Sequence, residues 1–252
     1  ACTKASKILI RDFGEIEKLQ VSLKGPGDFV TASDKKVEKI LIEELQKARP
    51  DYSILSEEIG KIDNKDKEFR WIIDPIDGTL NFLHGIPHFG ISIALEKQGE
   101  IICGLVFDPI KNELFTAEKG NGSYLNNQRM RVSGRTKLKE SIVFTGGPRS
   151  TSKDRDKMFK EYEKISNAVM APVRKLGSAA LDMSYVAAGR CDAFWHRNLN
   201  YWDFAAGIVL ISEAGGFVSD FYGDKNYLKN KTLLATNSKI NKEMIKILKE
   251  LD

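Results

Sequence analysis

The segment Trp71-Ile72-Ile73-Asp74-Pro75-Ile76-Asp77-Gly78-Thr79-Leu80-Asn81-Phe82 constrains this chain more than any other. An apolar run able to form only a buried strand stops at two carboxylates, and a Gly-Thr turn that can open a helix follows. Pro75 forbids helix continuation and pushes Asp74 into extended geometry, so both acids are expected on a stiff turn at the strand's carboxyl end. Gly78 lets the backbone approach a ligand closely, and the amides after it are expected to face an anion. Such a turn can hold a divalent metal ion beside a phosphate.

With 252 residues the chain can bury a substantial core, as one large domain or two tightly joined halves. No apolar run approaches the roughly 20 residues needed to span a bilayer, and residues 1–13 read as an amphipathic stretch rather than a secretory signal. The absence of an initiator Met leads to the expectation that native residues precede Ala1. Cys2, Cys103 and Cys191 are odd in number, widely spaced and without a CxxC pair, which predicts a reduced, cytoplasmic protein. The net charge of +4 is only mildly basic and the lysines are scattered, so nucleic-acid binding is neither required nor excluded.

The hydrophobic pattern predicts the end of a helix over Thr3 to Phe13, a glycine-bearing loop at Lys24-Gly25-Pro26-Gly27-Asp28, and a helix from near Ser33 to Pro50. Short strands are expected at Tyr52 to Leu55 and Phe69 to Ile73, each ending in acids. Phe89 to Glu96 and Ile101 to Phe107 read as a hairpin across Gln98-Gly99-Glu100, with further strands at Glu113 to Ala117 and Gly122 to Val132. After the break at Gly146-Gly147-Pro148, helical stretches near Arg155 to Asn167, Ser178 to Ala188, Trp202 to Glu213 and Lys239 to Leu251 alternate with strands. Those strands are Ala193 to Trp195, Phe217 to Ser219 and Leu233 to Ala235. The pattern predicts a mixed, layered α+β architecture divided softly around Ser141 to Lys153.

Three histidines, His84, His88 and His196, with no HExxH helix and no cysteine pair, argue against zinc. The acids Glu57, Asp74, Asp77 and Asp203, joined by Asp34, are better candidates. Hard oxygen ligands favour Mg²⁺ or Mn²⁺, and gathered carboxylates repel one another unless cations intervene. Each acid also has a plain structural reading: Glu57-Glu58 as a solvated loop, Asp34 and Asp203 as first-turn acids that satisfy helix amides. The haloacid-dehalogenase phosphatases also place Asp and Gly-Thr after a strand. Their two acids are separated by one residue, whereas Pro75 and Ile76 intervene here, which disfavours a covalent aspartyl-phosphate route. No Walker loop or GxGxxG fingerprint is present.

Three blocks resemble the inositol monophosphatase family, in particular its bacterial SuhB-like branch. They are Ser56-Glu57-Glu58, the segment Trp71 to Phe82 in the form WxxDPxDGTxNF, and Tyr201-Trp202-Asp203 with Phe204-Ala205-Ala206-Gly207 and Glu213-Ala214-Gly215-Gly216. Asp28 to Asp34 and Gly177 to Asp182 support the match. The resemblance implies a layered αβαβα sandwich of the inositol monophosphatase/fructose-1,6-bisphosphatase type. Residues 1–140 would carry Glu57 and the Asp74 to Thr79 turn, residues 141–252 would carry Asp203, and the two would make one compact catalytic unit. It further implies a homodimer, Li⁺ inhibition, and Mg²⁺-dependent hydrolysis of a small phosphorylated substrate such as inositol 1-phosphate.

By position, the resemblance implies that Glu57, Asp74 and the carbonyl of Ile76 hold a first Mg²⁺, and that Asp74, Asp77 and Asp203 hold a second. Asp34 with Glu57 would lie near a third and the attacking water, Thr79 would orient that water, and the amides of Gly78 and Thr79 would cradle phosphate. Asp77 and Asp203 would also face substrate, and Arg174 matches a position of substrate contact. His196, seven residues before Asp203, stands where members that cleave inositol phosphates commonly have Glu, and imidazole cannot reproduce a carboxylate's acceptor pattern. A second role implied by the SuhB-like branch is binding to the transcription elongation machinery in ribosomal RNA synthesis. Lys175 stands there where an Arg commonly follows, and Lys lacks the planar fork.

Overall fold

A computed structural model of the chain describes residues 1–15, 21–25, 28–147 and 153–251. Pro26 and Gly27 of the expected first loop, and residues 148–152 of the expected boundary, lie outside the described residues. The chain opens with α1 (Cys2–Phe13), a hairpin of β1 (Val21–Gly25) and β2 (Asp28–Thr31), and α2 (Ala32–Ala48). Then come β3 (Tyr52–Ser56), β4 (Gly60–Ile62), β5 (Asp66–Asp77) and the short α3 (Thr79–Leu83). A meander of β6 (Gly90–Lys97), β7 (Glu100–Asp108), β8 (Glu113–Glu118), β9 (Gly122–Leu125) and β10 (Gln128–Arg129) completes an eight-stranded sheet in the order β10-β9-β8-β7-β6-β5-β3-β4.

Beyond a 3-10 turn at Leu138–Glu140 lie β11 (Val143–Thr145), α4 (Arg155–Ala168), α5 (Ala179–Ala187), β12 (Ala193–Arg197) and α6 (Tyr201–Glu213). The chain ends with β13 (Phe217–Ser219), α7 (Tyr227–Asn230), β14 (Thr232–Thr236) and α8 (Asn241–Lys249). The second sheet has four strands in the order β11-β12-β14-β13.

The layering follows from the alternation of side chains along each strand. Ile72 of β5 and Ala94 of β6 turn into a core shared with α5 and α6, while Ile73, Ile91 and Ile93 turn the other way onto Leu9, Val37 and Leu41 of α1 and α2. On β12, Phe194 faces α5 and α6, whereas Ala193 and Trp195 face Ile165 of α4 and Met244 and Leu248 of α8. Both sheets are therefore covered on two faces, giving the five-layer αβαβα order. The middle layer packs closely: a Cβ on Gly104 of β7 would lie 2.6 Å from Val209 Cγ1 and 2.7 Å from the Ala206 carbonyl oxygen of α6.

Several elements depart from the sequence pattern. The strand expected to end at Ile73 runs on through Asp74-Pro75-Ile76 to Asp77. The single strand expected over Gly122 to Val132 is split at Asn126 and Asn127, whose φ values of 46° and 68° form the tight turn that joins antiparallel strands. β3 runs parallel to β5, so the first sheet is mixed. β1, β2, β4 and β11, each of three to five residues, were not expected from the pattern.

Candidate active site

The carboxyl end of β5 is bulged. Asp74 pairs with Ser92 and Asp77 with Gly90, so three steps along β5 are matched by two along β6. On a regular strand, residues three apart point to opposite faces; the extra residue re-aims them, and Asp74 and Asp77 reach one site. Pro75 tolerates the bulge because it needs no ladder donor, and Asp74 Oδ1 accepts the Ile76 amide at 3.0 Å across it.

Two further elements converge there. Glu57 leaves β3 beside β5, where Ser56 pairs with Ile73 and the Glu57 amide donates to the Ile73 carbonyl at 3.2 Å. Asp203 lies in the first turn of α6, whose start is hooked to β6 through Ser92 Oγ and the Trp202 carbonyl, 3.4 Å apart, next to Asp74's own pairing position. One carboxylate oxygen from each of Asp74, Asp77 and Asp203 falls within 4.8 Å of the others. The plain reading of Asp203 holds as well: its Oδ2 accepts the Asn200 amide at 2.8 Å in a capping box. The same carboxylate thus both caps the helix and joins the cluster.

The electrostatics are those of a site that needs positive charge. Burial first, and then the carboxylates of Glu57, Asp77 and Asp203, push Asp74 well above the ordinary carboxyl range. Burial raises Asp77 to about 7, against the stabilising hydrogen bonds from Ser178 and the Ala180 amide. No lysine or arginine forms a salt bridge with Asp74 or Asp77 among the described residues. Closely packed carboxylates with only oxygen donors fit a hard divalent cation and do not fit a softer metal.

Around this cluster, Asp34 occupies the first turn of α2, where its Oδ2 accepts Thr31 N at 2.7 Å and Thr31 Oγ1 at 2.5 Å. Its other oxygen, Oδ1, lies 3.5 Å from Thr79 Oγ1, and that hydroxyl donates to the Ile76 carbonyl at 3.0 Å. Gly78 caps α3 with φ of 96°, and a Cβ there would sit 3.1 Å from the His88 carbonyl oxygen and 3.3 Å from that of Gly177. Only glycine meets both demands.

The remaining expected residues stand apart from these contacts. Arg174 is exposed and donates to the Pro172 carbonyl at 3.2 Å. His196 is half-buried on β12, its Nδ1 2.5 Å from the Arg197 carbonyl. His84 follows α3 as its cap, and His88 is packed inside, with Nε2 3.2 Å from Asp182 Oδ1.

Three supporting residues were invisible as such in the sequence. Ser178 Oγ and the Ala180 amide, the latter at 2.7 Å, both donate to Asp77 Oδ2 from the start of α5. The side-chain amide of Asn81 ties α3 to the His88 carbonyl at 2.7 Å and the Leu176 carbonyl at 2.8 Å. Ser178 bore a signal, since a serine opening an apolar run is a helix cap. Nothing in the sequence aimed that cap at Asp77, 101 positions away.

The model of the inositol monophosphatase family matches residues 1–252. The inositol-1-monophosphatase of Mesorhizobium japonicum is 49% identical over 250 residues, covering 99% of this chain and 94% of that protein. The Nus factor SuhB of Escherichia coli K12 is 40% identical over 245 residues, covering 97% and 91%. The crystal structure of the extragenic suppressor protein SuhB from Bartonella henselae superposes with a TM-score of 0.95 at 46% identity, covering 99% of this chain and 95% of that one. Whole-chain similarity, the five-layer fold and the convergent carboxylates agree, and the chain belongs to the inositol monophosphatase family, a phosphoric monoester hydrolase by that membership.

Proposed function

We propose that the chain hydrolyses the phosphate ester of a small polyol or sugar, inositol 1-phosphate or a close relative, by direct attack of water with Mg²⁺ as cofactor. The observation that carries this reading is the convergence of Asp74, Asp77 and Asp203 within 4.8 Å from a bulged strand and a helix start. The name and 49% identity of the Mesorhizobium protein support the substrate. In this reading Glu57, Asp74 and the Ile76 carbonyl hold one ion, and Asp74, Asp77 and Asp203 hold another, with a third near Asp34 and Glu57; Mn²⁺ can replace Mg²⁺. Divalent ions, when bound, supply the positive charge that acidifies water and stabilises phosphoryl oxygens.

The protein's own groups do the positioning. Asp34 Oδ1 and Thr79 Oγ1 orient the attacking water and Asp34 Oδ1 takes up its proton, Asp34 being held by the capping box through its other oxygen. The amides of Gly78 and Thr79 cradle phosphate oxygens at the start of α3, and Asp203 stands beside the leaving oxygen. Arg174 and His196 are assigned to the polyol. Because no side chain is esterified, a phosphorylated residue trapped during turnover would overturn the scheme.

The test is a panel of phosphate esters assayed with Mg²⁺, with and without Li⁺, for the wild type and Asp74→Asn. Loss of a ligand shared by two ions is expected to lower kcat/KM by more than the ~10–100-fold typical of outer positions. An unchanged rate would sink the assignment. The 40% identity to a Nus factor favours a second reading, in which the chain also binds the transcription elongation machinery. Retention of a cellular transcription phenotype by Asp74→Asn would support that reading, and its loss together with hydrolysis would count against it. The homodimer is proposed from the family and is read by sedimentation.

A further inference from the structure

α2 turns a second carboxylate toward this region, one that none of the ligand sets above employs. Glu38 follows Asp34 by four residues, so both lie on one face of the helix. It is 1% exposed. Its Oε1 accepts three hydrogen bonds: from Ser56 Oγ, from the Glu58 amide at 2.9 Å and from the Ile59 amide at 3.3 Å. These donors bracket Glu57 on both sides, and the Glu57 amide is itself engaged with the Ile73 carbonyl. The backbone that carries Glu57 is thus gripped by β5 on one side and by α2 on the other.

A buried carboxylate satisfied by neutral donors is costly to desolvate, and a glutamine of the same shape would cost less. What the charge adds is strength: hydrogen bonds to an ionised acceptor are roughly twice as strong as neutral ones, and three of them here meet at one oxygen. The neighbours of Glu38 in sequence, Lys35, Lys36 and Lys39, make it resemble an ordinary surface acid of an exposed helix, which it is not.

We infer that Glu38 is a positioning residue, holding the Ser56–Ile59 backbone so that the Glu57 carboxylate stays beside Asp74 and is preorganised for the cation. The inference rests on the reading of Glu57 as a metal ligand in the proposed function. α2 then sets two parts of the site at once, Asp34 toward Thr79 and, one turn on, the Glu57 backbone.

The test is calorimetric titration of Mg²⁺ into the full chain, wild type against Glu38→Ala, Glu38→Gln and Ser56→Ala, with thermal unfolding of each metal-free protein alongside. Glu38→Ala is expected to weaken Mg²⁺ binding about tenfold or more, the range for groups that orient a ligand. The Mg²⁺ concentration for half-maximal hydrolysis should rise by the same factor, with kcat recovered at saturating Mg²⁺. Glu38→Gln keeps an acceptor for the two amides and is expected to recover part of the affinity; Ser56→Ala should weaken it in the same direction by less. A purely structural Glu38 would lower the melting temperature and leave the affinity of the folded variant unchanged, which overturns the inference. If Glu38→Ala does not fold, the affinities of Glu38→Gln and Ser56→Ala decide, and wild-type values in both overturn it. A wild type that binds no Mg²⁺ sinks the proposed function as well, whereas unchanged variants of a Mg²⁺-binding wild type sink this inference alone.

Discussion

Asp74 and Asp77 are two carboxyls that the fold has made weak acids. A carboxyl whose pKa is higher in the folded state keeps a proton that the unfolded chain has released. Metal-free protein should therefore lose stability as pH rises from the ordinary carboxyl value of about 4 toward the Asp77 value of about 7. Mg²⁺ needs the ionised forms, so its affinity should climb over the same window, with protons released on binding. Melting temperatures of chelator-treated wild type and Asp77→Asn between pH 5 and 8 provide the check. Asp77→Asn should flatten the slope, and an identical slope in both proteins would remove Asp77 as its source. The acids at this scale were readable because Pro75 directly follows Asp74 and Gly78 directly follows Asp77. Their supports were not, since Ser178 and Glu38 look like any helix cap and any helix surface acid.

At the scale of elements, the position of Asp203 depends on how closely α6 lies on the eight-stranded sheet. Gly104 of β7 sets that distance, because a side chain there meets Val209 and the Ala206 carbonyl. Gly104→Ala is expected to cost about 1–3 kcal/mol through overpacking. By displacing α6, it should also weaken Mg²⁺ binding, although Gly104 touches no ligand. Urea unfolding with parallel calorimetry separates the two effects; a folded variant with wild-type Mg²⁺ affinity would show that α6 does not need this seat. The longer elements were legible from their period, as α2 and α6 show, each starting within one residue of the expected position. The bulge that ends β5 was not. Sequence periodicity records which face a residue takes on a regular strand, and a bulge is the place where that rule lapses.

In the whole molecule, the proposed ligands come from the end of β3, where Glu57 follows Ser56, from β5 and from α6, and the proposed water-orienting pair from α2 and α3, so a bound cation should brace elements far apart in the chain. Saturating Mg²⁺ should raise stability by about 2.7 kcal/mol at a hundred times its dissociation constant. Adding a chelator should reverse the rise in melting temperature, and Asp74→Asn should show little of it. A chelator-insensitive melting curve in the wild type would contradict the site.

By itself the sequence determined the inventory: helices and strands enough for two sheets, acids at element ends, and a Pro-Ile-Asp-Gly-Thr turn able to face an anion. These are local matters, settled by period, by ring closure at Pro75 and by backbone freedom at Gly78. Only the tertiary structure decided that Asp203 lies beside Asp74, that Ser178 fixes Asp77, and that Glu38 grips the neighbours of Glu57. Those contacts join residues separated by 18 to 129 positions. They arise from the packing of sheets and helices in layers, which no window along the chain records.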